Sequence, residues 1–153
     1  MKLLKDVINA YISGVIAFLP FSFLAFSEIR DGIFTLSEYF SLLWPMHLAT
    51  GAVGALAILP ILLYEHSKYR WVSTSNKQHY TVHSLPFLVL SYIIYGLLGS
   101  FTAYCMFDLS IFGTVRLTLE RISIIDIAAM GLWFWLVWFA FYSAINILII
   151  QNK

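Results

Sequence analysis

The chain has 153 residues, of which 61% are hydrophobic and 11% are charged, and its mean hydropathy is +0.84. These values exclude an ordinary soluble domain and predict an integral membrane protein. The formal net charge of +1 provides no basic surface for nucleic acid, and the single cysteine, Cys105, excludes an internal disulfide.

Four apolar segments are long enough to cross a bilayer as helices, which takes roughly 20 residues. They cover residues 8–26, 42–64, 85–107 and 127–150. We therefore predict an all-α fold with a single domain, in which four transmembrane helices form an up-down antiparallel bundle.

The first segment, 8–26, has some features of a signal peptide. Ala25 and Ser27 are small residues with one residue between them, as a cleavage site requires. However, the apolar run is longer than the about 7–15 residues of a signal core, and Asp6 interrupts the basic flank. We expect a retained membrane helix, with cleavage as the alternative.

The second segment has a clear start and two prolines. Thr35–Glu38 has the form of a capping box, so the helix is predicted to begin before the apolar residues do. Trp44 and Tyr64 lie at its two ends, where amphipathic rings favour the headgroup level. Pro45 and Pro60 each remove a backbone donor and predict kinks near those ends.

A polar loop, 65–84, joins the second and third segments. His79 and His83 are four residues apart, a spacing seen in metal sites, and His66 lies nearby. The ligand set is incomplete, so we predict no metal. The interleaved basic and aromatic residues of this loop suit anionic lipid headgroups.

A shorter polar loop, 108–123, separates the third segment from the fourth, and Ser123 and Asp126 have the spacing of another capping box. Six of the nine Lys and Arg residues fall on the side of the 65–84 loop and the termini, and three fall on the other side. Because Lys and Arg are enriched in the cytoplasmic loops of membrane proteins, we predict a multi-pass protein of the cell membrane with both termini cytoplasmic.

Small residues predict where the second and third helices pack together. One face of the second helix carries His47, Thr50, Gly51, Gly54 and Ala55, and one face of the third carries Tyr92, Tyr95, Gly96, Gly99 and Ala103. Counting inward from the outer surface puts Gly51 level with Gly99, and Gly54 level with Gly96. We predict that these two backbones approach closely.

His47 is the candidate polar site inside the membrane. It is predicted to lie about one and a half turns below the outer surface, where an ionisable side chain suggests function. Asp126 and Tyr104 are predicted at the same depth, and a His–Asp pair there could relay protons or bind a small cation. The alternative is structural: His47 is neutral and hydrogen-bonded, and Asp126 only caps a helix.

Two further groups of residues suggest packing. At the inner end, Asn9 and Ser13 of the first helix can meet Ser143 and Asn146 of the fourth, with Tyr92 nearby. The fourth helix also contains seven aromatic residues, which are Trp133, Phe134, Trp135, Trp138, Phe139, Phe141 and Tyr142. They circle the helix, so part of this cluster is predicted to face lipid or another protein.

Motifs of soluble catalysis are absent from the sequence, and no cofactor is indicated. We predict a small membrane protein, not an enzyme, that binds another membrane component as an accessory or immunity-type subunit. The expected partners are the lipid bilayer and either another membrane protein or a second copy. The alternative is a small oligomeric transporter or channel, linked to protons or cations, that uses His47 and Asp126.

Overall fold

A computed structural model describes residues 2–69 and 85–151 of the chain. Its elements are α1 (Lys2–Ile29), α2 (Leu36–Tyr69), α3 (Leu85–Ser91), a π-helix called π1 here (Tyr92–Gly99), α4 (Ser100–Phe112), α5 (Arg116–Arg121) and α6 (Ile124–Gln151). Four candidate membrane spans cover Leu4–Ile29, Leu36–Pro60, Leu88–Phe112 and Ile124–Asn146. The predicted all-α fold with four transmembrane helices is confirmed.

The third membrane helix is formed by α3, π1 and α4 in succession. We call the end of the bundle with the α1–α2 turn, residues 30–35, the turn end. The opposite end, which carries Lys2 and Gln151, is the termini end.

Local signals set the helix ends. The Thr35 hydroxyl accepts a hydrogen bond from the Glu38 amide at 3.1 Å, as the capping box predicts. The reciprocal bond of that box is replaced by an ion pair between the Glu38 carboxylate and Arg30 at 3.1 Å. The second predicted box forms in both directions: the Ser123 amide and hydroxyl donate to the Asp126 carboxylate, and the Asp126 amide donates to Ser123 Oγ. At the end of α1, Gly32 adopts a φ of 74° and its amide donates to the Ser27 carbonyl, which closes the helix.

The helices are longer than the apolar segments from which they were predicted. Residues 65–69 belong to α2, although they were assigned to a loop, and residues 70–84 lie outside the described part of the chain. Backbone groups at the membrane surface still gain from intrahelical hydrogen bonds, so a helix does not stop where its apolar residues stop.

The predicted loop 108–123 is also partly helical, since α4 continues to Phe112 and α5 follows. Asp108 holds this segment. Its buried carboxylate accepts hydrogen bonds from the backbone amide and the hydroxyl of Thr118, both at 2.6 Å.

Aromatic rings form the centre of the bundle. The ring centroids of Phe18 and Phe134 are 3.9 Å apart, and Trp138 stacks between Tyr95 at 5.1 Å and Tyr142 at 5.6 Å. Phe134, Trp138 and Tyr142 are all buried, because they recur every fourth residue along one face of α6.

The prediction that the α6 aromatics point in different directions is confirmed. While one face of α6 enters the core, Trp133 is 56% exposed and Phe141 is 43% exposed. These two rings lie on the surface of the bundle.

Candidate intramembrane site

Gly51 and Gly54 of α2 come closest to another backbone at Gly14 of α1. A methyl group at Gly14 would lie 2.6 Å from the Thr50 carbonyl oxygen, 3.2 Å from Gly51 Cα and 3.3 Å from Gly54 Cα. Three glycines therefore let the two helices meet at a distance that no side chain would permit.

The glycines of the third membrane helix have different neighbours. A methyl group at Gly96 would meet the Gly131 carbonyl of α6 at 3.0 Å, whereas one at Gly99 would meet only Tyr95 and Val53 side-chain atoms, at 3.4 Å or more. The closest contacts of these glycines are therefore not those predicted between Gly51 and Gly99 and between Gly54 and Gly96. Gly51 and Gly54 pack on α1 and Gly96 packs on α6, while Gly99 meets Val53 of α2 only at ordinary contact distance. Depth alone had not identified which neighbour each glycine faces.

His47 joins a chain of hydrogen bonds between α1 and α2. Its Nε2 lies 3.1 Å from the Tyr39 hydroxyl, which lies 2.7 Å from the Ser22 hydroxyl. Ser22 in turn donates to the Leu19 carbonyl at 3.0 Å. His47, Tyr39 and Ser22 are all buried.

The Tyr39–His47 bond is compatible with either imidazole tautomer, and we assign the one that leaves no buried N–H without an acceptor. When Ser22 donates to Leu19 and Tyr39 donates to Ser22, the hydrogen on His47 Nε2 is free to donate to the Tyr39 oxygen. Every polar hydrogen of the chain then has an acceptor, whereas the opposite direction leaves a buried N–H at Nδ1 without one. This arrangement makes Nδ1 of neutral His47 a hydrogen-bond acceptor, and Nδ1 has no partner among the described residues.

Asp126 and Tyr104 do not take part in this chain. Asp126 is exposed and serves as the cap of α6 through Ser123. Tyr104 lies close enough to Asp126 to experience its charge, but neither side chain hydrogen-bonds to His47. The hydrogen-bond partner of His47 is therefore Tyr39 and not Asp126 or Tyr104. Tyr39 lies on the same helix as His47, and its hydroxyl reaches Nε2 directly.

A groove between α1 and α2 runs past His47. It has a volume of about 300 Å³. Its walls are Tyr11, Val15 and Leu19 from α1 and Phe40, Trp44, His47 and Leu48 from α2. Phe40, Trp44 and Leu48 are each about half exposed, so the groove opens on the outside of the bundle, where lipid surrounds a membrane protein.

No known protein family, curated protein or solved structure matches this chain.

Metal binding finds no support in the described part of the chain, in which no three His, Cys, Asp or Glu residues come together. His79 and His83 lie outside the described residues, and the side chain of His66 is not described either. The prediction concerning the 65–84 loop therefore stays a prediction.

Side-chain donors to α1 carbonyls tie the rest of the bundle to α1. The Tyr95 hydroxyl donates to the Gly14 carbonyl at 2.7 Å, and Trp138 Nε1 donates to the Ala10 carbonyl at 3.1 Å. Neither bond was predicted from the sequence. The available signal was the run of small residues around Gly14, which leaves backbone carbonyls accessible to bulky neighbours.

The polar contact predicted at the termini end forms in part. The Asn9 amide donates to the Tyr142 carbonyl at 3.1 Å, and Ser13 donates to Asn9 at 3.4 Å. Ser143 Oγ is buried without a partner among the described residues, and Tyr92 donates instead to the Ala128 carbonyl. This contact connects α1 and α6 through one side chain and one backbone group.

Proposed function

We propose that this protein acts by binding another membrane protein as an accessory or immunity-type subunit, with no catalysis of its own. The exposure of Trp133 within the membrane-spanning part of α6 supports this proposal. Its ring is 56% exposed although it lies nine residues into α6, roughly 13 Å along the helix axis.

Tryptophans that face lipid normally lie at the headgroup level, where the indole N–H finds water or a lipid oxygen. Trp133 is too deep for that, and its N–H has no acceptor within the described residues. A partner helix with a carbonyl or hydroxyl at this depth would satisfy the N–H and bury the ring.

The surroundings of Trp133 suit a helix partner. Only 17% of the α6 span is buried within the bundle, compared with 50% of the α2 span. On the same side of α6, Ala140 and Ala144 are exposed and four residues apart, a spacing at which small residues allow helices to pack closely. We call the surface formed by Trp133, Leu136, Ala140 and Ala144 the α6 face.

The proposal includes an orientation. The excess of Lys and Arg near the termini end supports a cytoplasmic location of that end in the cell membrane. The α6 face would then be available to a partner within the same bilayer.

The proposal is tested by extracting a tagged chain gently from its own membrane and measuring the native mass of the complex. We expect a heteromeric complex with a defined stoichiometry. Ala140→Ile should weaken it at least tenfold, because a larger side chain keeps the partner helix away. Ala52→Ile is the matched control, since Ala52 is also exposed but lies on α2.

A monomer for both the parent chain and the control would refute the proposal. A homo-oligomer sensitive to Ala140→Ile would replace the accessory role by self-association, as the transporter hypothesis requires.

A further inference from the structure

The groove between α1 and α2 combines an apolar wall with one unsatisfied polar atom. Its volume of about 300 Å³ is at the lower end of the range for small-molecule sites, about 300–1,000 Å³. The polar atom belongs to His47, a wall residue that is 7% exposed. Nδ1 of that ring is buried and has no hydrogen-bond partner among the described residues.

A buried polar atom without a partner is costly, and membrane lipid cannot replace water as its partner. His47 lies nine residues beyond Glu38, the last charged residue before it in α2, which places it roughly 13 Å deeper along the helix. The phosphodiester and ester groups of phosphatidylcholine are hydrogen-bond acceptors only, so this lipid cannot donate a hydrogen bond to Nδ1.

We propose that the groove binds a membrane-soluble alcohol, a hydrophobic molecule whose hydroxyl group donates a hydrogen bond to His47 Nδ1. The hydrocarbon part lies against Val15, Trp44 and Leu48, and the hydroxyl supplies the bond that the protein does not. Because Nδ1 is covered in the free protein, binding requires a neighbouring side chain to move aside.

The chemistry of the ligand follows from the direction of the Ser22–Tyr39–His47 chain. With the His47 proton on Nε2, Nδ1 accepts, so the ligand must donate. A charged donor such as an amine is disfavoured, because the walls of the groove are almost entirely apolar and would not solvate it. This inference does not depend on the α6 face, which lies on a different helix.

The test uses the full chain in phosphatidylcholine vesicles and two photoactivatable probes. One is a twelve-carbon alcohol with a diazirine in its chain, and the other is the methyl ether of the same alcohol, which cannot donate. Labelled peptides are identified by mass spectrometry. We expect the alcohol to label the α1 and α2 walls of the groove about fivefold more than the ether does, the ratio that corresponds to one net hydrogen bond of about 1 kcal/mol.

Two variants on the exposed side of α2 provide a matched pair. Leu48 and Leu56 are 51% and 52% exposed, and only Leu48 lines the groove. Leu48→Trp should abolish the preference for the alcohol by filling the groove, whereas Leu56→Trp should leave it unchanged. His47→Phe should make the two probes equal.

Equal labelling by the two probes in the parent chain would overturn the proposal, because the groove would then hold hydrocarbon without using Nδ1. Labelling that is insensitive to Leu48→Trp would overturn it as well, because it would place the alcohol elsewhere. Cross-links between two copies of the chain through the groove walls would assign the groove to a second copy instead.

Discussion

Replacing Gly14 by alanine tests the closest contact between α1 and α2. The added methyl group would lie 2.6 Å from the Thr50 carbonyl oxygen, and ordinary contact begins near 3.4 Å. The methyl group meets backbone atoms of Thr50, Gly51 and Gly54, which cannot rotate away. The helices must therefore separate by about 0.8 Å, the difference between these two distances.

The expected magnitude combines two opposing effects. Overpacking of this kind costs about 1–3 kcal/mol. Alanine is a better helix former than glycine, which offsets this cost by at most about 1 kcal/mol. We expect Gly14→Ala to lower the free energy of unfolding by about 1–2 kcal/mol.

The assay is unfolding in mixed micelles with increasing denaturing detergent, followed by tryptophan fluorescence, since Trp138 is fully buried beside Gly54. Gly99→Ala is the matched control, because its methyl group would contact only side-chain atoms at 3.4 Å or more. The control should be neutral or slightly stabilising. Equal stability of the two variants would refute the α1–α2 contact described here.

Three further predictions concern buried side-chain hydrogen bonds. Asp108→Ala removes both bonds to Thr118 and should lower the free energy of unfolding by about 1.5–3 kcal/mol. Hydrogen exchange at the Thr118 amide should become faster, and unchanged exchange would contradict this prediction. Thr118→Val, which keeps the amide bond and removes the hydroxyl bond, should have a smaller effect in the same assay. Trp138→Phe should cost at least about 0.6–1.7 kcal/mol through loss of the bond to the Ala10 carbonyl, measured in the same micelles by circular dichroism because the change removes the buried fluorophore; a neutral result would mean that this bond contributes nothing.

The number and approximate position of the membrane helices could be predicted from sequence because the signal is strong. Each segment is uncharged over most of a bilayer thickness. The capping box at Ser123 forms in full, and the Thr35 hydroxyl caps α2 as its spacing predicts. Helix ends were less predictable. Hydropathy reports where lipid begins, whereas intrahelical hydrogen bonds continue into the polar residues of α2 and α4.

The neighbours of individual residues could not be predicted from depth. His47 is buried, as its place in an apolar segment suggests, but its depth pointed to partners on other helices, whereas Tyr39 lies on the same helix. The small-residue pattern identified the glycines of α2 as packing residues. It did not identify Gly14, which the α2 glycines approach, or Gly131, which Gly96 approaches. Depth gives the height of a residue in the bilayer but not the order of the helices around the bundle.

The contact at Gly14 also bears on how the chain enters the membrane. Among the described elements, α1 and α2 share the most extensive contact, and they precede the other described helices in the chain, so they leave the ribosome before them. This hairpin can pair before the second half has been synthesised. The later half then adds the Tyr95 hydroxyl and the Trp138 indole to the carbonyls of α1. The α1–α2 pair would thus be the template on which the later membrane helices dock.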